Sequence, residues 1–282
     1  RRCDSMCCFW PHHICGMFQM TYWISCSGGL SSAISAIVAY ENELDFRMIF
    51  ADVLMEDEDL YRFNNDLVKS LGVDLITVST GKTPYDSFRD NRWIGNTRTA
   101  HCSDDLKTEP IRRFIEQFGQ PDDPLVLGMD WGEMDRIENA QRRWGDRPVI
   151  SLLNQYKITR DMYPKILEEY GLIQPRLYDH GFPHNNCGGA CVKAGLKQWA
   201  TMLDVFPEAF EKASDDLDQA MSDIGPTAKP FLRKTIKGKT HYLTLAEFKK
   251  MYLAGEIKIS PYDFGGCGCF TDNMTPKGPP NE

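Results

Sequence analysis

The pattern that most constrains this chain is a regular alternation between short apolar runs and stretches with helical spacing over residues 21–152. The run Phe46–Ala51 has the length and composition of a buried strand, and Leu60, Phe63 and Leu67 recur at the spacing of one helix face. Strands that alternate with helices of this length predict an α/β fold, in which helices cover both faces of a Rossmann-like parallel sheet.

Five strands and four helices are predicted in this alternating part. The strands are expected at residues 21–26, 46–52, 74–78, 124–127 and 148–152, with helices near residues 30–38, 60–71, 110–118 and 131–144. Gly72 is expected to end the second helix, and Thr108 is expected to be the N-cap of the third. Because ligands bind at the carboxyl ends of parallel strands, the segments that follow these strands are candidate binding segments.

The composition limits the class of protein. Hydrophobic residues make up 42% and charged residues 26%, which are the proportions of a soluble globular domain. The net charge of −8 argues against broad, sequence-independent binding of nucleic acid, although a local basic groove would be compatible with it. No apolar run approaches the ~20 residues of a membrane helix. We therefore expect a cytoplasmic protein without membrane contact.

The small-residue segment SCSGGLSS, residues 25–32, lies between the first strand and the first helix. Its composition suits a turn whose backbone N–H groups gather at the N-terminus of the helix, where the helix dipole favours an anion. The segment therefore predicts a phosphate site. The residues expected to hold the ligand are Ser25, Ser27, Gly28, Gly29, Ser31 and Ser32.

This segment resembles the S-G-G-x-D-S loop of the ATP pyrophosphatases (PP-loop enzymes) and their adenine nucleotide alpha-hydrolase-like (HUP) relatives. Residues 27–32 match five of the six positions, with Ser31 where the family has an aspartate. The resemblance implies an adenine nucleotide as ligand. In ATP-cleaving members that aspartate helps to manage magnesium and pyrophosphate. Its replacement therefore weakens ATP hydrolysis, with bound Mg²⁺, more than it weakens nucleotide binding.

Three more segments resemble the phosphoadenosine phosphosulfate (PAPS) reductases of this superfamily. They are FADVLMEDED at the end of the second strand, HCSDDLKTEP at residues 101–110, and GMDWGEMDR at residues 128–136, which is similar to G-x-R-x-x-E-S-x-x-R. The resemblance implies that these segments face the nucleotide. The residues that we assign to nucleotide binding on this basis are Asp52, Arg98, Gly128, Glu133 and Arg136.

Other charges near these segments are expected to be ordinary surface charges. The acids at positions 56–59 favour the start of a helix, which explains them without a ligand. Of the four cations at positions 98, 107, 112 and 113, at least two are expected to be solvated helix charges.

The ten cysteines are unevenly distributed, and their short paired spacings favour metal or redox use in an intracellular protein over a disulfide scaffold. Two glycines between Cys187 and Cys191 would let both sulfurs point at one centre. Soft thiolates select zinc or iron–sulfur clusters. The resemblance to the reductases makes Cys102 the third ligand, with Cys267 or Cys269 as the fourth. It implies a 4Fe–4S cluster, while zinc or metal-free thiols also fit the spacing.

Cys267 and Cys269 are also the predicted catalytic thiols. PAPS reductases without a cluster use one cysteine in a C-terminal E-C-G-I-H motif, which is absent here. The C-x-C pair, flanked by glycines, is expected to take its place.

Three functions are compatible with these motifs. The first is a PAPS reductase-like enzyme that takes PAPS or adenosine 5′-phosphosulfate (APS) and transfers sulfur through cysteine, with a thioredoxin-like reductant as partner. The second is an ATP-dependent adenylating enzyme for thiolation of tRNA or DNA, the one case with a nucleic-acid partner. The third is a non-catalytic adenine-nucleotide-binding module with a structural metal.

The sequence pattern changes near residue 155. Residues 1–19 lack periodicity and are expected to form an extension outside the fold, and residues 20–155 to form the nucleotide-binding α/β domain. Residues 156–282 are expected to be a mostly helical, cysteine-containing elaboration that closes over it. Helices are predicted there at residues 158–170, 192–203 and 207–221, followed by a small hairpin around residues 237–239.

Overall fold

The computed structural model describes residues 20–96, 99–236 and 239–266. Within them, five parallel strands form a sheet in the order β3-β2-β1-β4-β5. The strands are β1 (Tyr22–Ser25), β2 (Phe46–Ala51), β3 (Leu75–Val78), β4 (Leu125–Val126) and β5 (Val149–Ile150). All five coincide with predicted strands. The chain runs outward from β1 to β3 and then returns to the other side of β1, so β1 and β4 flank the point where the strand order reverses.

Helices cover both faces of this sheet, which confirms the predicted α/β class. Alternating side chains along β1 show why: Ile24 packs into the core on one face and Trp23 into the core on the other. The helices around the sheet are α1 (Leu30–Glu41), α2 (Glu58–Leu71), α3 (Pro84–Asn91), α4 (His101–Ser103), α5 (Glu109–Phe118), α6 (Met134–Trp144), α7 (Leu152–Gln155) and α8 (Tyr163–Glu169). Gly72 adopts the left-handed conformation that ends α2, as predicted.

One predicted helix start is wrong. Thr108 has helical backbone angles and makes no side-chain cap, because a π-helical turn at Asp104–Thr108 joins α4 to α5. The helix therefore begins at His101, several residues before Pro110. Proline is tolerated there because the wider turn and the helix start place few demands on its missing N–H.

The rest of the chain builds a second core. It is formed by α9 (Arg176–Asp179), α10 (Leu196–Val205), α11 (Pro207–Ile224), the antiparallel hairpin β6 (Leu232–Ile236) and β7 (Lys239–Leu243), and α12 (Leu245–Leu253). Trp199, Phe210 and Phe248 are almost wholly buried in it, together with Phe88 of α3. The hairpin and α11 were predicted, but α10 begins four residues later than the expected start at residue 192.

The late start of α10 follows from contacts with a distant segment. Gly195 N donates to Phe264 O at 2.8 Å, and Ala194 pairs with Gly265 in an isolated bridge. Gly195 has extended backbone angles in this pairing, and a side chain there would collide with Asp263.

Candidate functional site

A cavity of about 1010 Å³ opens at the carboxyl edge of the sheet, where β1 and β4 end. This is the position at which open α/β sheets bind ligands, because the loops that follow the two strands diverge there. Predicted nucleotide-binding residues that line it are Ser25, Ser27, Gly29, Ser31, Ser32, Gly128, Glu133 and Arg136. The structure therefore brings together two predicted segments that are far apart in sequence, residues 25–32 and 128–136.

The serine–glycine loop is held in shape by its own hydroxyl groups. Ser32 Oγ donates to Gly29 O at 2.9 Å and accepts from Ser27 N at 3.1 Å. Gly28 has a φ of +74° and packs against Leu60, whose side chain would overlap a β-carbon at this position. Only glycine fits this turn, since an L-residue would be strained and would clash.

The N-terminus of α1 faces the cavity without a side-chain cap. Gly29 is the N-cap, and the first turn of the 12-residue helix contains no acidic residue. Helix geometry leaves the first backbone N–H groups without acceptors inside the helix, and the helix dipole adds partial positive charge. Gly128 approaches this turn so closely that a β-carbon on it would lie 2.5 Å from Ser32 N. Gly128 thus allows the chain after β4 to pass close to the backbone of α1, and it also lines the cavity.

Three side chains from the second half of the chain contact the loop. Tyr163 Oη donates to Ser31 Oγ at 3.1 Å, Tyr178 Oη accepts from Leu30 N at 3.3 Å, and Asn185 Nδ2 donates to Gly28 O at 2.7 Å. Asn185 is 4% exposed and lines the cavity, and its Oδ1 has no hydrogen-bond partner among the described residues. A buried acceptor without a hydrogen-bond partner destabilises the folded chain unless a ligand donates a hydrogen bond to it.

Cationic side chains form another wall of the cavity. Lys107, Arg136 and Arg160 line it, each paired with an acid: Glu56, Glu133 and Asp130 respectively. Arg136 Nε is buried and has no hydrogen-bond partner within the described residues. These three cations lie within one cavity with the α1 N-terminus, which suits a ligand carrying more than one anionic group.

His184 lies in the same wall. Burial lowers the pKa of His184, and the neighbouring Arg136 and Arg160 lower it further, whereas Glu133 opposes them. The imidazole is therefore neutral at neutral pH.

Two described residues that were predicted to contact the nucleotide, Gly28 and Asp52, do not line this cavity. Asp52 directly follows β2 and accepts hydrogen bonds from Leu54 N and Tyr61 Oη, both at 2.8 Å. Arg98 lies outside the described residues. Of the other cations near residue 107, Arg112 stacks over Trp144 and Arg113 pairs with Glu109 at the surface, as expected for helix charges.

The cysteines predicted to share a centre do lie together. Cys187 packs with Val53 and Leu106 in a small buried cluster, and Cys102 and Cys191 pack against it, partly exposed. The Cys187 thiol hydrogen-bonds to that of Cys191, and this contact together with burial raises the pKa of Cys187.

A buried ion pair connects this cysteine cluster with the cavity. Lys107 Nζ lies 2.9 Å from Glu56 Oε1, and the Glu56 side chain is fully buried. Glu56 Oε2 also accepts a hydrogen bond from Cys187 N. The prediction that Glu56 is a solvated charge is therefore wrong. Its acid neighbour Asp57 is the N-cap of α2, as the helix-start interpretation expects.

The described residues contain no group of three or more His, Cys, Asp or Glu side chains arranged to hold a metal ion. The described part thus lacks a complete ligand set for zinc or a cluster. Cys267 and Cys269 lie outside the described residues. The last described residue, Gly266, donates to Lys193 O at 3.3 Å, so the chain reaches residue 266 close to Cys191.

Residues 21–129 match the family model of the phosphoadenosine phosphosulfate reductase domain. This part of the chain is similar to a PAPS reductase domain. The match confirms the resemblance inferred from the loop and from residues 101–110. The matched residues contain the sheet through β4, the serine–glycine loop and Lys107, while the tyrosine and asparagine contacts come from later residues.

Two other proteins are similar to this chain. An uncharacterised protein of Methanocaldococcus jannaschii is 23% identical over 220 residues, which are 74% of this chain and 50% of that protein. The chain thus spans half the length of this curated relative. A PAPS reductase from Candida auris, solved as a phosphate complex, has a TM-score of 0.41 and 15% identity, covering 57% of this chain and 78% of that chain. Among the described residues, no helix is both long and apolar enough to cross a membrane.

Several residues that line the cavity were not predicted from the sequence. Arg160, Tyr163, Tyr178 and Asn185 belong to the second half of the chain and reach the cavity through long-range packing. No local pattern marks them. Helices α3 and α12 were also missed, although Thr83 with Asp86 and Thr244 with Glu247 form capping boxes that a T-x-x-[DE] search would have found.

Proposed function

We propose that the cavity binds a sulfonucleotide, PAPS or APS, and that a cysteine thiol of this chain takes up its sulfonyl group. One observation carries the proposal. In a chain whose residues 21–129 are similar to a PAPS reductase domain, the serine–glycine loop, the α1 N-terminus and three cationic side chains line one cavity.

The arrangement favours a nucleotide with two anionic regions. One phosphate would accept hydrogen bonds from the backbone N–H groups of Ser31 and Ser32, where the helix dipole adds its field. Arg136 and Arg160 would hold a second anionic group, since guanidinium forks match sulfate and phosphate oxygens. Asn185 Oδ1 would accept a hydrogen bond from a hydroxyl or amino group of the nucleoside.

The sulfur chemistry needs a thiolate close to the bound sulfonyl group. In this proposal a cysteine sulfur attacks the sulfonyl sulfur, the bond to the phosphate oxygen breaks, and the nucleotide leaves with both bonding electrons. Cys267 and Cys269 remain the proposed thiols, because they follow Gly266 directly and Gly266 contacts the segment next to Cys191. A thioredoxin-like protein is the proposed reductant. An iron–sulfur cluster or zinc at the cysteines remains a proposal without a role in this step.

Ser31 favours a sulfonucleotide over ATP cleavage. Its hydroxyl is bonded to Tyr163 Oη, and no carboxylate occupies the position that would help to hold magnesium. The ATP-dependent thiolation of nucleic acid is therefore the second choice.

An oxygen-free assay tests the proposal. The purified chain is incubated with PAPS, APS or ATP and a dithiol reductant, and sulfite and pyrophosphate are measured. We expect sulfite from PAPS or APS, lost in the Cys267→Ser/Cys269→Ser double variant and retained in Cys26→Ser. Cys26 is a matched control because burial raises its pKa to about 12, which keeps it unreactive. Pyrophosphate from ATP without sulfite from either sulfonucleotide would overturn the proposal.

A further inference from the structure

Cys187 and Cys191 are neighbouring thiols that differ in their exposure to solvent. Their thiols are hydrogen-bonded to each other, although four residues separate them in sequence. Cys187 is 7% exposed, whereas Cys191 is partly open to solvent. One residue of the pair is thus partly exposed and the other is buried, which is an asymmetry that thiol–disulfide exchange can use.

An unusual backbone brings the two sulfurs together. Cys187, Gly188 and Gly189 have φ angles of +49°, +56° and +84°, so three successive residues are in the left-handed region. Cys187 is the strained residue of the three, because residues other than glycine rarely adopt this backbone conformation. The surrounding structure holds the turn: Glu56 accepts from Cys187 N, and Gln198 Nε2 donates to Gly189 O at 2.8 Å.

We propose that Cys187 and Cys191 are a redox-active dithiol that forms a reversible disulfide, with Cys191 as the outer cysteine and Cys187 as the resolving cysteine. The oxidant is a low-molecular-weight or protein disulfide. The Cys191 thiolate attacks one sulfur of that disulfide, whose S–S bond breaks and releases one thiol. The Cys187 thiolate then attacks the Cys191 sulfur, forms the Cys187–Cys191 bond and releases the second thiol. Two protein thiols are oxidised, the disulfide is reduced to two thiols, and the two protons move to them.

The resolving step is supported by the position of Cys187. Its thiol lies against that of Cys191, and both cysteines pack in one small cluster with Val53 and Leu106, so the second sulfur is already next to the site of attack. The attack is also intramolecular, which gives it a high effective concentration.

The proposal does not depend on the nucleotide or on sulfur transfer, and it can be tested on the reduced chain alone. The chain is treated with glutathione disulfide without oxygen, quenched with an alkylating reagent and digested with trypsin. Both cysteines lie in the tryptic peptide of residues 177–193, and Cys102 lies in another peptide. We expect this peptide to lose two hydrogens and to escape alkylation, and dithiothreitol to reverse both changes.

Two variants separate the roles of the cysteines. In Cys187→Ser, the glutathione adduct on Cys191 should accumulate at least about tenfold above its level in the unaltered chain, because nothing resolves it. In Cys191→Ser, Cys187 should stay unmodified. Cys26→Ser should behave like the unaltered chain.

Three results would overturn the proposal. The first is an adduct on Cys191 that is as persistent in the unaltered chain as in Cys187→Ser. The second is a disulfide from Cys191 to Cys102, Cys267 or Cys269 in place of Cys187. The third is bound iron or zinc in the purified chain that Cys187→Ser removes, since a metal would then hold both thiolates. The first two are read on the unaltered chain as well, so the test does not depend on variant folding.

Discussion

The side-chain amide of Asn185 donates to the backbone carbonyl of Gly28 at 2.7 Å, across 157 residues of sequence. Because a carbonyl can only accept, this bond fixes the orientation of the amide and leaves Oδ1 as the buried atom that lacks a partner among the described residues. One residue of the second half thus stabilises the phosphate loop and presents an acceptor next to it.

Replacing Asn185 with alanine should weaken both functions. We expect a loss of about 1–3 kcal/mol in the free energy of unfolding, because Gly28 O loses its donor. We expect nucleotide affinity to fall by roughly tenfold, equivalent to about 1.4 kcal/mol. Urea denaturation and calorimetric titration with APS measure the two effects. Asn42→Ala is the matched control, since Asn42 Nδ2 also donates to a carbonyl, at 2.8 Å, but inside α1. Equal affinity in Asn185→Ala and Asn42→Ala would refute a role in binding.

Gly128→Ala should disturb the junction of β4 and α1. The added methyl group would lie 2.5 Å from Ser32 N, in a place where backbone surrounds it. Overpacking of this kind costs about 1–3 kcal/mol, and it should also displace the loop and reduce nucleotide binding. Gly132→Ala is the control, because its nearest neighbour is 3.4 Å away. A Gly128→Ala chain with unaltered unfolding free energy and nucleotide affinity would contradict the described packing.

The buried pair Lys107–Glu56 should show strong coupling in a double-mutant cycle. Removing one partner leaves an uncompensated buried charge, so Lys107→Met or Glu56→Gln should each cost about 3–5 kcal/mol. The double variant should cost less than the sum of the two single variants, because no lone charge remains. Arg113→Met, which breaks an exposed pair with Glu109, should cost less than about 1 kcal/mol. Additive single effects at positions 56 and 107 would show that the pair is not buried as described.

The stability of the chain should depend on pH through His184. Its folded-state pKa lies below the ordinary value of 6.5, because burial and two arginines disfavour the charged imidazole. The unfolded chain therefore binds this proton more readily, so stability falls as the pH drops below about 6.5 and recovers as the pH rises. Urea denaturation at several pH values between about 5 and 8 should show a smaller pH dependence of the unfolding free energy for His184→Gln than for the unaltered chain. The same pH dependence of the unfolding free energy in both proteins would show that His184 does not cause it.

Local sequence patterns were sufficient to predict the sheet and most helices around it. β1 alternates between two cores, and Gly72 provides a left-handed helix end, so strand and helix signals agree with the fold. Prediction failed where a distant segment decides the conformation. Thr108 continues a π-helical turn, and the start of α10 depends on the contact between Gly195 and Phe264, 69 residues apart.

The residues of the candidate site were likewise predicted where local sequence decides their position and missed where distant contacts decide it. The serine–glycine loop and Gly128 were predicted because they follow β1 and β4, whose ends any parallel sheet brings together. Glu56 was misjudged because an acid before a helix usually faces water, whereas here Lys107 and Cys187 bury it. Tyr163 and Asn185 reach the loop only through packing of the second half of the chain, which no local periodicity reports.

The most direct test of the central claim is a crystal structure of the chain with saturating APS. The account predicts electron density for the nucleotide in the cavity, with a phosphate oxygen within hydrogen-bond distance of Ser31 N or Ser32 N. It also predicts the second anionic group beside Arg136. Density for the nucleotide at another surface, with residues 27–32 making no contact to it, would contradict the account, and so would a crystal in which saturating APS leaves no density in the cavity.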